Sequence, residues 1–276
     1  MLKGVERPCG PGGRIPVSVD ISDILAGWTF RHGAHAARLI RGDDGRWQLQ
    51  LRLDMGVMQM DVDGRPDGLR PDGYPTWLDK MTARAEEAGD PAPTPSDWAE
   101  LDREMMQYYH RRTGLMTVAA RAQEDNRLSL AVKLFRRAVR DGNHNLRAMN
   151  FVARRGGDPG YVAGHERHRP FVLAQIAQAA GFANLLHGDP DRAIEMFKRG
   201  LARIRRAYRR QQAAALLPND PGARQLRLLE RRVRRDYGID RTLYEQLDEA
   251  VMAEDFERAA ILRDKIHRRQ RRKTGK

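Results

Sequence analysis

The chain has 276 residues, of which 41% are hydrophobic and 32% are charged, a balance typical of a protein with hydrophobic cores and not of a disordered one. No window approaches the run of about 18 to 20 apolar residues that a membrane span needs, and residues 1–8 lack the apolar run of a signal peptide. Cys9 is the only cysteine, which excludes an internal disulfide or a zinc-finger framework. We therefore expect a cytoplasmic protein without a membrane partner.

The positive charge is concentrated towards the C-terminus. The net charge is +13, and residues 203–276 hold 21 Lys and Arg against 11 Asp and Glu. Such asymmetry favours a nucleic-acid or acidic-protein partner. Alternatively, the arginines lie on exposed helix faces and keep an Ala/Leu-rich scaffold soluble. The candidate phosphate contacts are Arg231, Arg232, Arg234, Arg235, Arg268, Arg269, Arg271 and Arg272.

The N-terminal part predicts a β-rich domain of residues 1–90, with a loop-rich lead-in over residues 1–37. The Pro/Gly run at residues 8–13 follows no apolar strand and lacks the Gly-Lys-Ser/Thr ending of a phosphate loop. We therefore predict no nucleotide site in this run.

Alternating hydrophobicity predicts a small antiparallel meander. Apolar and polar residues alternate strictly over Trp47–Asp54, which is the pattern of a strand with one buried face. Asp44-Gly45 predicts a two-residue hairpin turn that pairs this strand with Ala37–Arg41, and Val57–Val62 gives the next strand.

Two groups of metal-ligand residue types do not predict a metal site. Asp61 and Asp63 have the opening spacing of a calcium loop, but the required later glycine and closing glutamate are out of place, so tight turns are the better interpretation. His165 and His168 are three residues apart, but no third ligand has a suitable spacing. No catalytic residue and no cofactor are predicted.

A proline-rich linker over residues 91–96 separates the β-rich domain from a helical domain of residues 97–238. Ser96 is the predicted N-cap of the first long helix. Further on, a helix is expected to continue over Ala207–Leu217 and to stop before Pro218. Another helix is expected over Ala223–Tyr237.

The helical domain contains two segments with the same spacing of small and aromatic residues. A break at Gly188-Asp189-Pro190 separates the two helices of the second pair. The matching positions are Ala131, Phe135 and Ala138 in the first segment, and Ala193, Phe197 and Gly200 in the second, with Gly181 upstream. Small residues let antiparallel helices approach closely while the phenylalanine fills the groove. This pattern resembles the tetratricopeptide repeat. The two segments are 62 residues apart instead of 34, and we expect the insert Gly142–Arg169 to interrupt the array.

The C-terminal residues 240–270 predict a hairpin of two amphipathic helices. Leu243, Leu247, Ala250 and Val251 lie on one face of the first helix, and Asp255 is the expected N-cap of the second. The apolar residues of the second helix also recur at helical spacing and fall on one face. The residues assigned to partner binding are Leu243, Leu247, Val251, Phe256, Ala259, Ala260, Leu262, Arg263, Asp264 and Ile266.

The hairpin resembles the UVR motif shared by the excision-repair proteins UvrB and UvrC. The resemblance is carried by Asp255-Phe256-Glu257, Ala259-Ala260 and Leu262-Arg263-Asp264, and it covers about 25 residues of the chain. It implies a protein–protein contact and brings no catalytic residue.

The sequence therefore predicts a mainly α protein with a small N-terminal β-meander, a repeat-like helical scaffold and a C-terminal helical hairpin. The first functional hypothesis is a cytoplasmic bacterial adaptor, without enzymatic activity, that binds a partner through the hairpin. The partner is another protein, for which a second UVR-motif protein is one candidate, or a second copy of the chain. The alternative is a nucleic-acid-associated DNA-repair accessory protein that uses its basic helices. An enzyme built on the N-terminal domain would need a ligand pocket that the sequence does not show.

Overall fold

A computed structural model describes residues 20–33, 36–87, 89 and 92–274, and for residues 270 and 272–274 it describes the backbone alone. The glycine-rich run at residues 8–13 and Cys9 lie outside the described residues. The described chain is mainly helical, with a small antiparallel sheet near the N-terminus and a helical hairpin at the C-terminus. The predicted fold class is confirmed.

The sheet is an antiparallel meander with the strand order β1-β2-β3. A short helix, α1 (Ser22–Ala26), precedes the strands β1 (Ala37–Arg41), β2 (Trp47–Leu53) and β3 (Gly56–Asp61). Leu49 pairs with Leu39 on one side and with Met60 on the other, and it is fully buried. Leu49 and Leu51 therefore face the core, as the alternation predicts. Trp47 and Leu53, expected on the same buried face, are exposed at the ends of the strand, and Gln48 and Gln50 of the other face are buried as well.

The turn between β1 and β2 is longer than the predicted two residues. The N–H of Gly42 donates to the carbonyl of Arg46, and the N–H of Gly45 donates to the carbonyl of Gly42. Gly45 adopts a φ of 75°, a left-handed conformation that a glycine takes without steric cost. The backbone pairing thus leaves a three-residue loop closed by the glycine.

The remaining helices follow one another in space in nearly the same order as in the chain. They are α2 (Trp77–Glu86), α3 (Pro95–Glu124), α4 (Leu128–Arg155), α5 (Pro159–Leu186), α6 (Pro190–Arg210), α7 (Pro221–Tyr237), α8 (Leu243–Met252) and α9 (Phe256–Thr274). Each of α3 to α7, which we call the helical scaffold, packs on the next, and α5 also contacts α7. Short 3-10 segments occur at Pro71–Gly73 and Ala214–Asn219.

The close packing of α5 on α6 depends on a glycine. Phe197 is fully buried, and a Cβ atom placed on Gly181 would lie only 2.0 Å from its ring atom Cε1. The equivalent small and aromatic positions in α4 and α6 are also buried; they are Ala131, Phe135, Ala138, Ala193 and Gly200. The spacing found in the sequence therefore marks helix contacts, whereas the likeness to a tetratricopeptide repeat stays a prediction.

Two predicted boundaries in the helical scaffold are wrong. The N-cap of α3 is Thr94 and not Ser96, because Thr94 and Asp97 form a reciprocal capping box and Pro95 occupies the first helical position. The expected insert from Gly142 does not interrupt the helix, since α4 continues to Arg155. A Cβ on Gly142 would lie 2.4 Å from Ile176 Cγ1, so this glycine permits a close helix contact.

The helix predicted to reach Leu217 ends earlier. α6 stops at Arg210, after which Gln212 adopts a φ of 53° and the N–H of Ala213 donates to the carbonyl of Tyr208. This left-handed residue with a backward hydrogen bond terminates the helix without a glycine. α7 then begins at Pro221, with Asp220 as its N-cap, and ends at Gly238 in the left-handed conformation.

Buried charges attach the segment after β3 to the helical scaffold. Arg111 and Asp141 are fully buried and form a two-point ion pair at 2.7 and 2.9 Å. The same guanidinium donates to the carbonyl oxygens of Asp61 and Gly64. The apolar face of the sheet packs on α3, where Leu51 lies against Gly114. Sheet and scaffold therefore share one hydrophobic core.

Candidate interaction hairpin and basic surface

The hairpin forms because both of its helices are capped by their own sequence. Thr242 and Glu245 form a capping box at the start of α8, and Asp255 accepts a hydrogen bond of 3.0 Å from the N–H of Arg258 at the start of α9. Asp255 is therefore the N-cap, as predicted. Between the helices, Glu254 adopts a φ of 55°, which reverses the chain within a short turn.

One face of each helix is used to hold the hairpin together. The buried residues of this inner face are Leu243, Ala250, Ala259, Leu262 and Ile266, with Tyr244 and Leu247 packed beside them. These residues form a hydrophobic cluster of their own. Leu243, Ala259, Leu262 and Ile266, which were assigned to partner binding, are therefore inside the hairpin.

An exposed groove runs along the hairpin next to this inner face. We call outer groove the surface lined by Leu247, Asp248, Val251, Met252, Phe256, Ala259, Ala260 and Arg263. Leu247 and Ala259 border both the groove and the inner face. Phe256 is 69% exposed, and Val251 is 51% exposed. Met252, which the sequence reasoning missed, is 86% exposed. Met252 is the last residue of α8 and lies outside the apolar face predicted for this helix, so helical periodicity does not identify it. Asp264 is also exposed, and it pairs with the neighbouring Arg263.

Charged contacts attach the hairpin to α6 and α7. The carboxylate of Asp191 accepts a hydrogen bond from the N–H of Leu243 at 3.0 Å and forms an ion pair with Arg269 at 2.6 Å. Glu245 pairs with Lys198 and with Arg234, each at 2.6 Å. Asp191 thus holds the first residue of α8 and the last part of α9 at once.

The contacts that attach the hairpin lower the pKa of Glu245. Partial burial raises the pKa, but the hydrogen bonds from Arg234 and Lys198 and from the N–H of Thr242 outweigh it and lower the pKa to about 2. The ionised form is therefore strongly favoured in the folded protein.

The family model of the UvrB/UvrC motif matches residues 241–269, the same residues that build the two capped helices. The chain carries a UvrB/UvrC motif. No curated protein matches the chain, and no solved structure matches it. The motif accounts for the hairpin alone, so the helical scaffold and the sheet carry no family assignment.

The arginines predicted to contact phosphate near the UvrB/UvrC motif are partly used inside the protein. Arg234 is bound by Glu230 and Glu245, and Arg269 by Asp191. Arg232 and Arg235 are exposed beside Asp236. Of the others, Arg231 and Arg271 are exposed, Arg268 bonds to the carbonyl of Asp264, and the side chain of Arg272 lies outside the described residues.

A second set of arginines, which the sequence reasoning missed, lies on α6. Arg203, Arg206 and Arg210 are spaced by three and four residues, so they lie on one face of the helix, and we call them the arginine row. In the described part of the chain none of the three has an ion-pair partner. Burial and the neighbouring charges of Arg169 and Arg206 lower the pKa of Arg203. The row is thus a cationic surface whose three arginines are not paired with carboxylates of the described residues.

No helix among the described residues is both long and apolar enough to cross a membrane. Within the same residues, no group of three or more His, Cys, Asp or Glu side chains is placed to hold a metal ion. Asp63, considered above for calcium, is instead bound by Arg137 and Arg140, whose hydrogen bonds and charges hold its pKa well below the usual range.

Proposed function

We propose that this protein is a non-catalytic adaptor that binds another protein through the outer groove of its UvrB/UvrC motif. The observation that carries the proposal is the cluster of exposed apolar side chains at Val251, Met252 and Phe256. Contiguous exposed apolar surface of this kind marks interaction sites in soluble proteins. The partner is a second UvrB/UvrC-type hairpin, in another protein or in another copy of this chain.

The two faces of the hairpin explain why a partner can bind without unfolding it. The inner face already buries Leu243, Leu262 and Ile266 within the hairpin. The outer groove is left over, and its length across two short helices suits an amphipathic helix laid along it. Arg263 at the rim adds a cation that can pair with a carboxylate of the partner.

The proposal is tested by replacing Phe256 with aspartate in the full chain. An aromatic anchor at the centre of an interface contributes about 2 kcal/mol or more, so we expect Phe256→Asp to weaken partner binding by about 30-fold or more. Ile261→Asp is the matched control, because Ile261 is also exposed, at 59%, but lies about 140° around α9 from Phe256.

The readouts are self-association by analytical ultracentrifugation and capture of a protein carrying the same motif from nuclease-treated native lysate. Loss of binding in Phe256→Asp with normal binding in Ile261→Asp supports the outer groove as the docking surface. Equal binding by the two folded variants and the unchanged protein would contradict the proposal.

A second function, association with nucleic acid as a DNA-repair accessory protein, is favoured by the arginine row. Arg203 and Arg210 are separated by about 10 Å along α6, and between Lys198 and Asn219 the chain has no acidic residue. Such a surface neutralises phosphates at several points at once. The support comes from α6 and not from Arg234 or Arg269, which are bound to carboxylates.

The test is the salt dependence of binding to a labelled DNA duplex, followed by fluorescence anisotropy. Each neutralised phosphate contributes about −0.9 to the slope of log K against log salt. Replacing the three residues of the arginine row with glutamine should therefore reduce the slope by about 2.7. The control replaces Arg231, Arg232 and Arg235 in the same way. A flat salt response of the unchanged protein would refute this second function.

A further inference from the structure

A cavity of about 400 Å³ lies between α3, α4 and α5 and belongs to none of the surfaces described above. Its walls are mostly apolar, with Met105, Met149 and Val172 in the interior. Met106 and Phe171 lie at its mouth and are about half exposed. The volume falls within the range of about 300 to 1,000 Å³ that is usual for sites that bind small molecules.

Two buried polar side chains line this cavity, and in each of them one atom has no hydrogen-bond partner among the described residues. Arg112 is 1% exposed; its Nε donates to Gln175 at 2.7 Å, but its Nη1 has no hydrogen-bond partner in the described part of the chain. Asn145 is almost as buried; its amide nitrogen donates to the carbonyl of Met105, whereas no described residue donates to its Oδ1. Buried polar atoms of folded proteins nearly always have a partner. Both residues line the cavity, and each keeps one buried hydrogen-bonding atom without a partner, a donor on Arg112 and an acceptor on Asn145.

The charge of Arg112 is also without a direct counterion. The neighbouring Arg111 takes both oxygens of Asp141, and no carboxylate of the described residues forms an ion pair with Arg112. Burial lowers the pKa of Arg112 to about 10, which still leaves the guanidinium charged at neutral pH.

The acidic residue at the cavity is already engaged. Asp102 lines the cavity, but its Oδ1 accepts a hydrogen bond from the hydroxyl of Tyr161 at 2.8 Å and lies 3.1 Å from Nε2 of His165. Among the described residues Asp141 offsets the charge of Arg112 without pairing with it, so an anion bound in the cavity would be its direct counterion.

We propose that this cavity binds a small monocarboxylate with an apolar body, whose carboxylate pairs with Arg112 while the body fills the space between Met105, Met149 and Phe171. Guanidinium and carboxylate form charge-assisted hydrogen bonds that are strong where water is excluded. The unused Oδ1 of Asn145 accepts a hydrogen bond from a hydroxyl or amide group of the same ligand. The site is independent of the hairpin, so this proposal and the adaptor function can fail separately.

The test is isothermal titration calorimetry of the full chain with octanoate, with octanamide as the neutral molecule of the same shape, and with inorganic phosphate. We expect octanoate to bind with one-to-one stoichiometry. Octanamide should bind at least about tenfold more weakly, because it lacks the charge that Arg112 recognises. No binding of octanoate, equal binding of octanamide, or equally tight binding of phosphate would overturn the proposal.

Two variants locate the site. Arg112→Met should remove the preference for octanoate over octanamide. Because a change at a buried residue can impair folding, Met106→Glu tests the same point from the exposed mouth of the cavity. Its added negative charge should weaken octanoate binding more than octanamide binding. Leu228→Glu is the control, since Leu228 is an exposed apolar residue on α7 outside the cavity. If it weakens octanoate binding as much as Met106→Glu, the assignment to this cavity is wrong.

Discussion

Replacing Gly181 with alanine tests whether α5 and α6 approach as closely as described. The new Cβ would lie 2.0, 2.4 and 2.9 Å from three ring atoms of Phe197, whereas carbon atoms in contact are about 3.5 to 4.0 Å apart. Either the ring or the helix must move by more than about 1 Å. Overpacking of a filled core costs about 1 to 3 kcal/mol and occasionally more, and the clash with a fully buried ring places this variant near the upper end.

Gly164 provides the matched control for this change, because it lies in the same helix and a Cβ there meets no atom within 4 Å. Alanine in place of a helical glycine stabilises by about 1 kcal/mol, and this gain is common to both variants. We therefore expect Gly164→Ala to stabilise by about 1 kcal/mol and Gly181→Ala to destabilise by about 2 kcal/mol.

The difference of about 3 kcal/mol between the two variants isolates the cost of the contact, and urea denaturation followed by circular dichroism measures it. Combining Gly181→Ala with Phe197→Leu should recover part of the loss, because the smaller side chain leaves room for the methyl group. If Gly181→Ala is as stable as Gly164→Ala, the close packing of α5 on α6 is not present in solution.

Three other changes test the charged contacts and the hairpin. Arg111→Met should cost about 3 to 5 kcal/mol in urea denaturation because it leaves Asp141 buried without its main partner; a cost below about 1 kcal/mol would mean that the pair is exposed to water. The pKa of Glu245 is lowered from 4.5 to about 2. The contribution of Glu245 to the free energy of unfolding is therefore complete above pH 4.5 and is lost as the pH falls towards 2. As the pH is lowered between these values, the free energy of unfolding should fall less steeply in Glu245→Gln, and an unchanged profile would show that the ion pair with Arg234 does not form. Asp255→Ala removes the N-cap of α9 and should destabilise that helix by about 1 kcal/mol, seen as faster hydrogen exchange in α9 with unchanged exchange in the scaffold; equal acceleration in both would contradict a separate hairpin.

Local sequence patterns predict the elements whose formation depends on near neighbours. The strict alternation around Leu49 predicts β2, and the capping residue Asp255 predicts the start of α9. The predicted interruption at Gly142 is wrong because a glycine in this context is typical of a break. In the structure the missing side chain leaves room for Ile176 of a neighbouring helix. Such a tertiary reason for a glycine is not present in the local sequence.

The candidate sites show the same limit. Helical periodicity finds the apolar residues of the hairpin, but it does not tell the inner face from the outer groove, so Leu262 and Phe256 receive the same assignment although only Phe256 is exposed. The arginine row and the unpartnered atoms of Arg112 depend on where distant carboxylates lie. The spacing of the arginine row and the acid-free stretch around it are visible in the sequence, but the lack of an ion-pair partner is not, and for the buried atoms of Arg112 the sequence contains no signal.

The separate hydrophobic cluster of the hairpin has a consequence for local opening. Among the described residues, Leu262 and Ile266 belong to the hairpin cluster, while charged contacts centred on Asp191 form the attachment to α6. Salt weakens ionic contacts that reach the surface, as this one does at the half-exposed Arg269, but it does not weaken apolar packing. Raising the ionic strength should therefore release the hairpin as an intact unit, tethered by the chain and free to reorient towards a partner, before the helical scaffold loses any of its protection.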